Sequence, residues 1–349
     1  MPRFDGRVLP GILGSVLRRR GVSEDSARHV AESLVEASVR GVDSHGINLF
    51  PYYVSALEGG RINGTPALRV VTRRPALATL DADHGFGHHA GSVAMQLATE
   101  MADETGVGVV GVRQSTHFGA AAYFAHQASR RGYAAFAFTN ADALVKAHGA
   151  AEAFFGTNPI CFSVPIEGEE PFCLDMATSR VSWNKVMNKR SRGEQMPAGW
   201  ASNSDGEPTT DPGDARMLEP SGEYKGYGLG MMVEILCAGF MDGPFGKDIL
   251  PMYGSALTET RNISHFFVAI NIRDLIDVDR FGQRMRSMVN RIRALPPKES
   301  AEGPAPVMVP GDPEKQAFER RTREGIPVDD AKYAEFLALA ADFAKALHK

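Results

Sequence analysis

The hexapeptide Gly106-Val107-Gly108-Val109-Val110-Gly111 restricts the folds open to this chain more than any other segment. It matches G-x-G-x-x-G letter for letter, the pattern with which a strand-to-helix turn cradles a pyrophosphate at a helix N-terminus. That mechanism needs a strand before the glycines and a helix after them. Here the order is inverted: Val93–Thr105 has helical spacing, and the glycines lie within the β-branched run Val107–Val112. A second cluster, Gly85-Phe86-Gly87-His88-His89-Ala90-Gly91, stands between a strand and a helix but lacks the spacing. No acidic residue closes a second strand at the expected distance from it. A Rossmann domain is not supported, so any dinucleotide must be held in another way.

The rest of the chain still alternates. From about Leu68, the runs Ala76–Leu80, Val107–Val112, Tyr133–Thr139, Cys161–Val164, Pro171–Asp175 and His265–Ile272 read as strands. Val93–Thr105 and Ala120–Arg130 read as helices between them, which predicts an α/β core. The first 60 residues read as helical, with Ser23 as an N-cap and Gly41 as a stop. Gly226–Phe240 reads as a buried apolar helix, 188–222 as a long functional or flexible loop, Phe281–Ala294 as an amphipathic helix and Pro296–Gly311 as a surface crossing. The expected division is a helical part, 1–75 with 276–349, and an α/β part, 76–275.

Composition removes several classes of function. Of 349 residues, 38 are Lys or Arg and 42 Asp or Glu, interspersed to a net charge of −4, which is no footprint for nucleic acid. No apolar run approaches the ~20 residues that span a bilayer, so no membrane partner is expected. The N-terminus lacks the apolar core of a signal peptide. Three cysteines, Cys161, Cys173 and Cys237, form neither a C-x-x-C motif nor an even set, so a reducing cytoplasm is the expected location. His88-His89, or His45 with His117, lack the spacing of metal ligands, and no metal is expected.

Chemistry concentrates in three loops. Asp43-Ser44-His45-Gly46 and Ser115-Thr116-His117-Phe118-Gly119 each place an imidazole among hydroxyls and glycine, and Gly156-Thr157-Asn158-Pro159 is a rigid polar turn. Oxidising an alcohol needs a base for the hydroxyl proton while carbon gives up hydride, and histidine serves both directions near neutral pH. Ser44 and Thr116 are placed to orient the two histidines. A Ser-His-Asp hydrolase would need a nucleophile elbow, which is missing. Lys225-Gly226 opens an apolar helix, where a lysine and a helix N-terminus can meet a phosphate or simply face solvent.

Together these segments resemble the type-2 malate/L-lactate dehydrogenases, a family that includes ureidoglycolate dehydrogenase, 2,3-diketo-L-gulonate reductase, sulfolactate dehydrogenase and Δ1-piperideine-2-carboxylate reductase. The resemblance rests on six motifs in order: 41–46, 115–121, 156–159, Asp175-Met176-Ala177-Thr178-Ser179, Pro208-Thr209-Thr210-Asp211-Pro212 and Tyr224-Lys225-Gly226-Tyr227-Gly228-Leu229. It implies an α/β fold with a non-Rossmann mixed sheet sandwiched between helices, L-sulfolactate dehydrogenase-like, with helical N- and C-terminal segments. It implies NAD or NADP as cofactor, a small-molecule substrate, and a homodimer with the active site near the interface. It places His45 and His117 beside nicotinamide and substrate. The cofactor set it implies is His117, Asn140, Thr157, Asp175, Met176, Ala177, Lys225, Gly226, Gly311 and Asp312.

The chain departs from the family at Leu49, where many members carry an arginine four residues after the first histidine, and at Asn203, where aspartate is common. Asn48, Lys146 and His148 are the candidates to meet the substrate in its place. The expected activity is interconversion of a 2-oxo acid, or a related carbonyl, and its 2-hydroxy acid. Reduction of a cyclic imino acid, and cofactor binding without catalysis, are the two alternatives.

Overall fold

The computed structural model describes residues 1–299, 303 and 305–348; part of the expected crossing 296–311 therefore lies outside the described residues. Helices α1 (Leu9–Arg18), α2 (Glu24–Val39) and α3 (Phe50–Glu58) form the N-terminal layer. The Ser23 hydroxyl accepts from the Ser26 N–H at the start of α2, and Gly41, at φ 82°, follows its end. The chain's end returns to this layer. Arg3–Phe4 pairs antiparallel with Ile326–Pro327, and Phe4 meets Phe336 edge-on at 5.3 Å between ring centroids. Leu13, Leu34, Phe50, Phe336 and Phe343 share one buried core there.

The main sheet has seven strands: β1 (Arg69–Arg74), β2 (Leu77–Asp81), β3 (Val107–Ser115), β4 (Tyr133–Thr139), β5 (Ile160–Ile166), β6 (Glu169–Met176) and β7 (Ile263–Asn271). Their order is β1-β2-β3-β7-β4-β5-β6. Only β2 and β3 run parallel, joined by helix α4 (Gly87–Thr105) as a parallel crossover requires; every other neighbour is antiparallel. This is the mixed sheet expected. Edge strand β1 was not foreseen, because its sequence RVVTRR carries three arginines and every residue is exposed, a charged edge that discourages pairing with other chains.

Both sheet faces are covered. On one lie α4 and helix α5 (Ala121–Ser129), whose Ala98, Met101, Phe124 and Ala128 pack on Val110, Ala135 and Phe267. On the other lies helix α7 (Tyr224–Glu234), continued by a π-turn through Gly239, with Val233 and Cys237 against Phe138 and Phe266. The expectation of a fully buried helix is corrected: Leu229, Met231, Met232, Ile235 and Phe240 are exposed. The segment 188–222 is also more ordered than expected. Helix α6 (Trp183–Ser191) begins it, and 201–202, 208–209 and 217–218 join 145–146 and 153–155 in a second, five-stranded sheet.

The expected boundaries at 75 and 276 shift. β1 brings residues 69–74 into the main sheet, and helix α8 (Val278–Arg293) packs Val289 on Ile166 of β5 rather than on the N-terminal helices.

The inverted glycine hexapeptide has a packing explanation. Gly106, at φ 81°, is the left-handed cap that ends α4. A Cβ on Gly108 would lie 1.9 Å from the Ala98 carbonyl oxygen of α4, and one on Gly111 would lie 2.2 Å from the Met241 sulfur. These glycines let helix and loop close on β3. Gly108→Ala is expected to cost more than about 3 kcal/mol, because backbone must move. Gly11→Ala, with open space around the new methyl, is expected to stabilise α1 by roughly 0.5–1 kcal/mol. Urea unfolding of both variants measures the contrast.

Candidate active site

The two loop histidines come from opposite layers and meet. His45 lies on the short turn between α2 and α3, and His117 just past the end of β3; their rings stack with centroids 5.6 Å apart and planes 22° from parallel. The first turn is clamped. Arg321, on helix α9 (Asp312–Glu324), donates to both Asp43 oxygens at 2.5 and 2.8 Å and to the Ser38 carbonyl at 2.6 Å. Gly46 is obligatory, since a Cβ there would lie 2.1 Å from the Ser38 hydroxyl, which accepts from the Ile47 N–H. Ser44 Oγ sits 2.9 Å from His45 Nδ1.

Tyr53, which sequence reasoning missed, holds His117. Its hydroxyl lies 2.6 Å from His117 Nδ1, and the residue is fully buried. On α3 it occupies a core-facing position, so its spacing signals packing and nothing more. Burial pushes the His45 pKa down to about 4. Burial, and then the neighbouring His45 and Arg261, hold His117 well below the ordinary histidine range. Both imidazoles are therefore neutral at pH 7, each with one ring nitrogen able to accept a proton.

A cleft of about 720 Å³ opens beside His45 and runs along Gly119–Ala122, Thr157 and Asp175–Ala177 to Val309–Gly311. That volume lies within the range of ligand and cofactor sites. Asp175 accepts from the Ala122 N–H at the first turn of α5, 2.9 Å away, while the surrounding protein raises its carboxyl to about 6. At the far end Gly311, at φ 94°, passes so close to β6 that a Cβ would meet the Cys173 backbone at 3.2 Å. His126 adds a buried Nδ1 with no partner among the described residues. Small residues, an open helix start and a free polar atom suit a long, flat ligand.

Of the candidates, Ser44, His45, Thr157, Asp175, Met176, Ala177 and Gly311 line this cleft, while His117 stacks on His45 without lining it. Others turn elsewhere. Thr116 is buried and exchanges hydrogen bonds with the Gly85 carbonyl and Gly87 N–H, so it secures the turn before α4 rather than orienting a histidine. Asn140 spends its amide on the Pro244 carbonyl and the Ser264 N–H. Asp312 is tied to Arg293 at 2.5 Å and to the Val309 N–H.

The stand-ins for a charge at position 49 fare no better. Lys146 pairs with Glu219 at 2.9 Å and donates to Ser202 and Gly206 inside the small sheet. His148 is exposed against Tyr224, and Asn203 closes a turn onto the Asp205 and Glu207 N–H groups. Leu49 is core, and Asn48 is half-buried beside it. Lys225 is exposed on the first turn of α7, and Gly226 is needed because a Cβ would strike the Ser221 carbonyl at 1.6 Å. Among the described residues no three His, Cys, Asp or Glu side chains are grouped to hold a metal.

Comparison with known proteins gives a consistent answer. A profile of the malate/L-lactate dehydrogenases matches residues 8–337. A malate dehydrogenase of Pyrococcus abyssi is 38% identical over 90% of this chain and 87% of its own. The ureidoglycolate dehydrogenase (NAD(+)) of Escherichia coli K12 is 34% identical over 95% and 94%. The solved sulfolactate dehydrogenase of Methanocaldococcus jannaschii superimposes with a TM-score of 0.90 at 30% identity, covering 98% of each chain.

Tyr53→Phe leaves His117 Nδ1 without its partner. It is expected to cost about 1–3 kcal/mol of stability and to shift the His117 ring nitrogen resonances in ¹⁵N NMR while those of His45 stay in place. Unchanged His117 resonances would contradict the contact.

Proposed function

The chain belongs to the malate/L-lactate dehydrogenase family and is an oxidoreductase, and from that premise we propose that it interconverts a 2-oxo acid and its 2-hydroxy acid with NAD or NADP. The observation that carries the reading is the stacked pair of neutral histidines, of which His45 lines the end of the cleft and His117 stacks against it. Gly119–Ala122, Thr157, Asp175–Ala177 and Gly311 would hold the nucleotide, with Lys225 beyond Ser221 as a candidate for its phosphates. A bound nicotinamide supplies or accepts hydride at C4 of its ring.

The proton is the protein's part. In oxidation a neutral imidazole takes the proton from the substrate hydroxyl; in reduction the imidazolium returns it to the new alkoxide. Tyr53 fixes the His117 ring through Nδ1, which leaves Nε2 as the working nitrogen. Ser44 fixes the His45 ring in the same way. The buried walls exclude water and keep both rings neutral until substrate arrives.

A homodimer and a cytoplasmic location belong to the same reading. The exposed stripe of Leu229, Met232, Ile235 and Phe240 on α7 is large and apolar enough to ask for cover, and a second copy of the chain is its proposed occupant. Sedimentation should give a dimer, and Ile235→Glu should shift it to monomer. No helix among the described residues is long and apolar enough to cross a membrane.

Purified protein assayed with NADH and NADPH against 2-oxo acids and cyclic imines tests the activity. Turnover of 2-oxo acids is expected, and His117→Ala should lower kcat by about 10²–10⁴-fold. Turnover of a cyclic imine alone would move the assignment to imino-acid reduction. No turnover and no nucleotide binding would overturn it.

The pH profile carries a sign. A histidine lowered to about 4 stays neutral as the pH falls and is protonated only near that value. Activity in hydroxy-acid oxidation should therefore stay level from about pH 8 to about pH 5 and fall about tenfold per unit below the group's pKa. A fall centred on the ordinary 6.5 would show that the base titrates without the downward shift that burial imposes.

A further inference from the structure

A 2-oxo or 2-hydroxy acid brings a carboxylate into the site, and a buried carboxylate needs a cation. Nearby cations are mostly committed. Arg321 holds Asp43, Lys146 holds Glu219, and position 49 is a core leucine. We propose that Arg261 is the anchor for the substrate's anionic group, a deepening that rests on the function proposed above.

The placement follows from register. Ile263 of β7 pairs antiparallel with Ser115 of β3. Two residues beyond that pair on each strand stand Arg261 and His117, so both leave the ladder at the same end of the sheet. On the other side of β7, His265 pairs with Thr139, and the loop after β4 brings Asp142 to the same place. Arg261 is 2% exposed, ion-paired to Asp142 through Nη2, and its Nε donates to the Leu250 carbonyl at 2.8 Å. Its Nη1 bonds to no described residue, which leaves one cationic edge for a ligand. Its charge is among those that act on both His117 and Tyr53.

The support beneath is rigid. Arg61 is 1% exposed and pairs with no carboxylate among the described residues. It donates to the Met252, Ala256 and Glu259 carbonyls and to the Ser255 hydroxyl, at 2.7–3.2 Å. A whole guanidinium thus holds down the loop from Leu250 to Arg261. Tyr253 in that loop packs edge-on against Tyr52 of α3, 5.4 Å between centroids, which joins the loop to the helix that carries Tyr53. Asp142 and Leu250 set the guanidinium's rotation.

Binding separates this role from a structural one. NADH and NADPH are titrated into wild type, Arg261→Met and Arg261→Lys by nicotinamide fluorescence. Oxamate, an unreactive 2-oxo acid mimic, and its neutral counterpart oxamide are then titrated into each nucleotide complex. Wild type is expected to prefer oxamate. Arg261→Met should lose roughly 10- to 100-fold in oxamate affinity with nucleotide affinity within about twofold, and the preference over oxamide should vanish. Arg261→Lys should keep part of the preference, and it carries the test if the methionine variant does not fold. Equal losses for oxamate and oxamide, or an undiminished preference for oxamate in either variant, would overturn the anchor while leaving the activity standing. A wild type that turns over 2-oxo acids yet does not favour oxamate would do the same. A wild type that binds neither nucleotide would overturn the functional reading itself, and the anchor with it.

Discussion

The insertion of β7 between β3 and β4 is the constraint on which the site depends. Residues 263–271 lie far along the chain from both neighbours, yet they pair antiparallel with each over most of their length. That double pairing brings the ends of three strands together: the turn with His117, the loop with Asn140 and Asp142, and the approach through Arg261. Long-range pairings of this kind are costly in chain entropy, and burial on both sheet faces offsets the cost. Asn140 reinforces the junction by accepting from the Ser264 N–H and donating to the Pro244 carbonyl.

Electrostatics follows from the same packing. Few of the buried histidines meet a carboxylate. His88 and His265 are pushed down to about 3 and His45 to about 4, mainly by burial. Such residues are polar spacers with one nitrogen free to donate and one to accept. His265 uses both, bonding to Thr139 and Ser115 at 2.7 and 2.8 Å, and so becomes part of the sheet. His45 and His117 each spend one nitrogen on a hydroxyl. His45 differs from His88 and His265 in that its ring also lines an open cleft.

The helical layer and the sheet contribute different parts. The N-terminal layer carries Ser44, His45 and Tyr53, and the sheet carries His117 and most of the cleft wall. α9 ties them, since Arg321 clamps Asp43 while its first turn, with Asp312 and Gly311, lies beside β6. The site is therefore a junction between layers, and small glycine contacts at positions 46, 108 and 311 set how closely the layers meet.

Much of this was legible in the sequence. Period-two apolar runs and helical stretches are local properties, and they marked six of the seven main strands and helices α2, α4, α5 and α8, but neither α6 nor α9. The inverted glycine pattern excluded a Rossmann domain because strand, turn and helix must follow in one order to present N–H groups to a phosphate. The two histidine loops stood out by composition. Tertiary structure alone decided which hydroxyl or charge serves which neighbour. Thr116, Asn140, Lys146 and Asp312 have the right chemistry, but their partners come from distant segments and use up their hydrogen bonds. Tyr53, Arg261 and Arg61 look like ordinary core or surface positions until β7 and the 250–261 loop are in place. Sequence determined that two histidines stand in polar glycine turns; the pairing of remote strands decided that their rings stack, neutral, with His45 at one end of the cleft, because burial and register are properties of the assembled sheet.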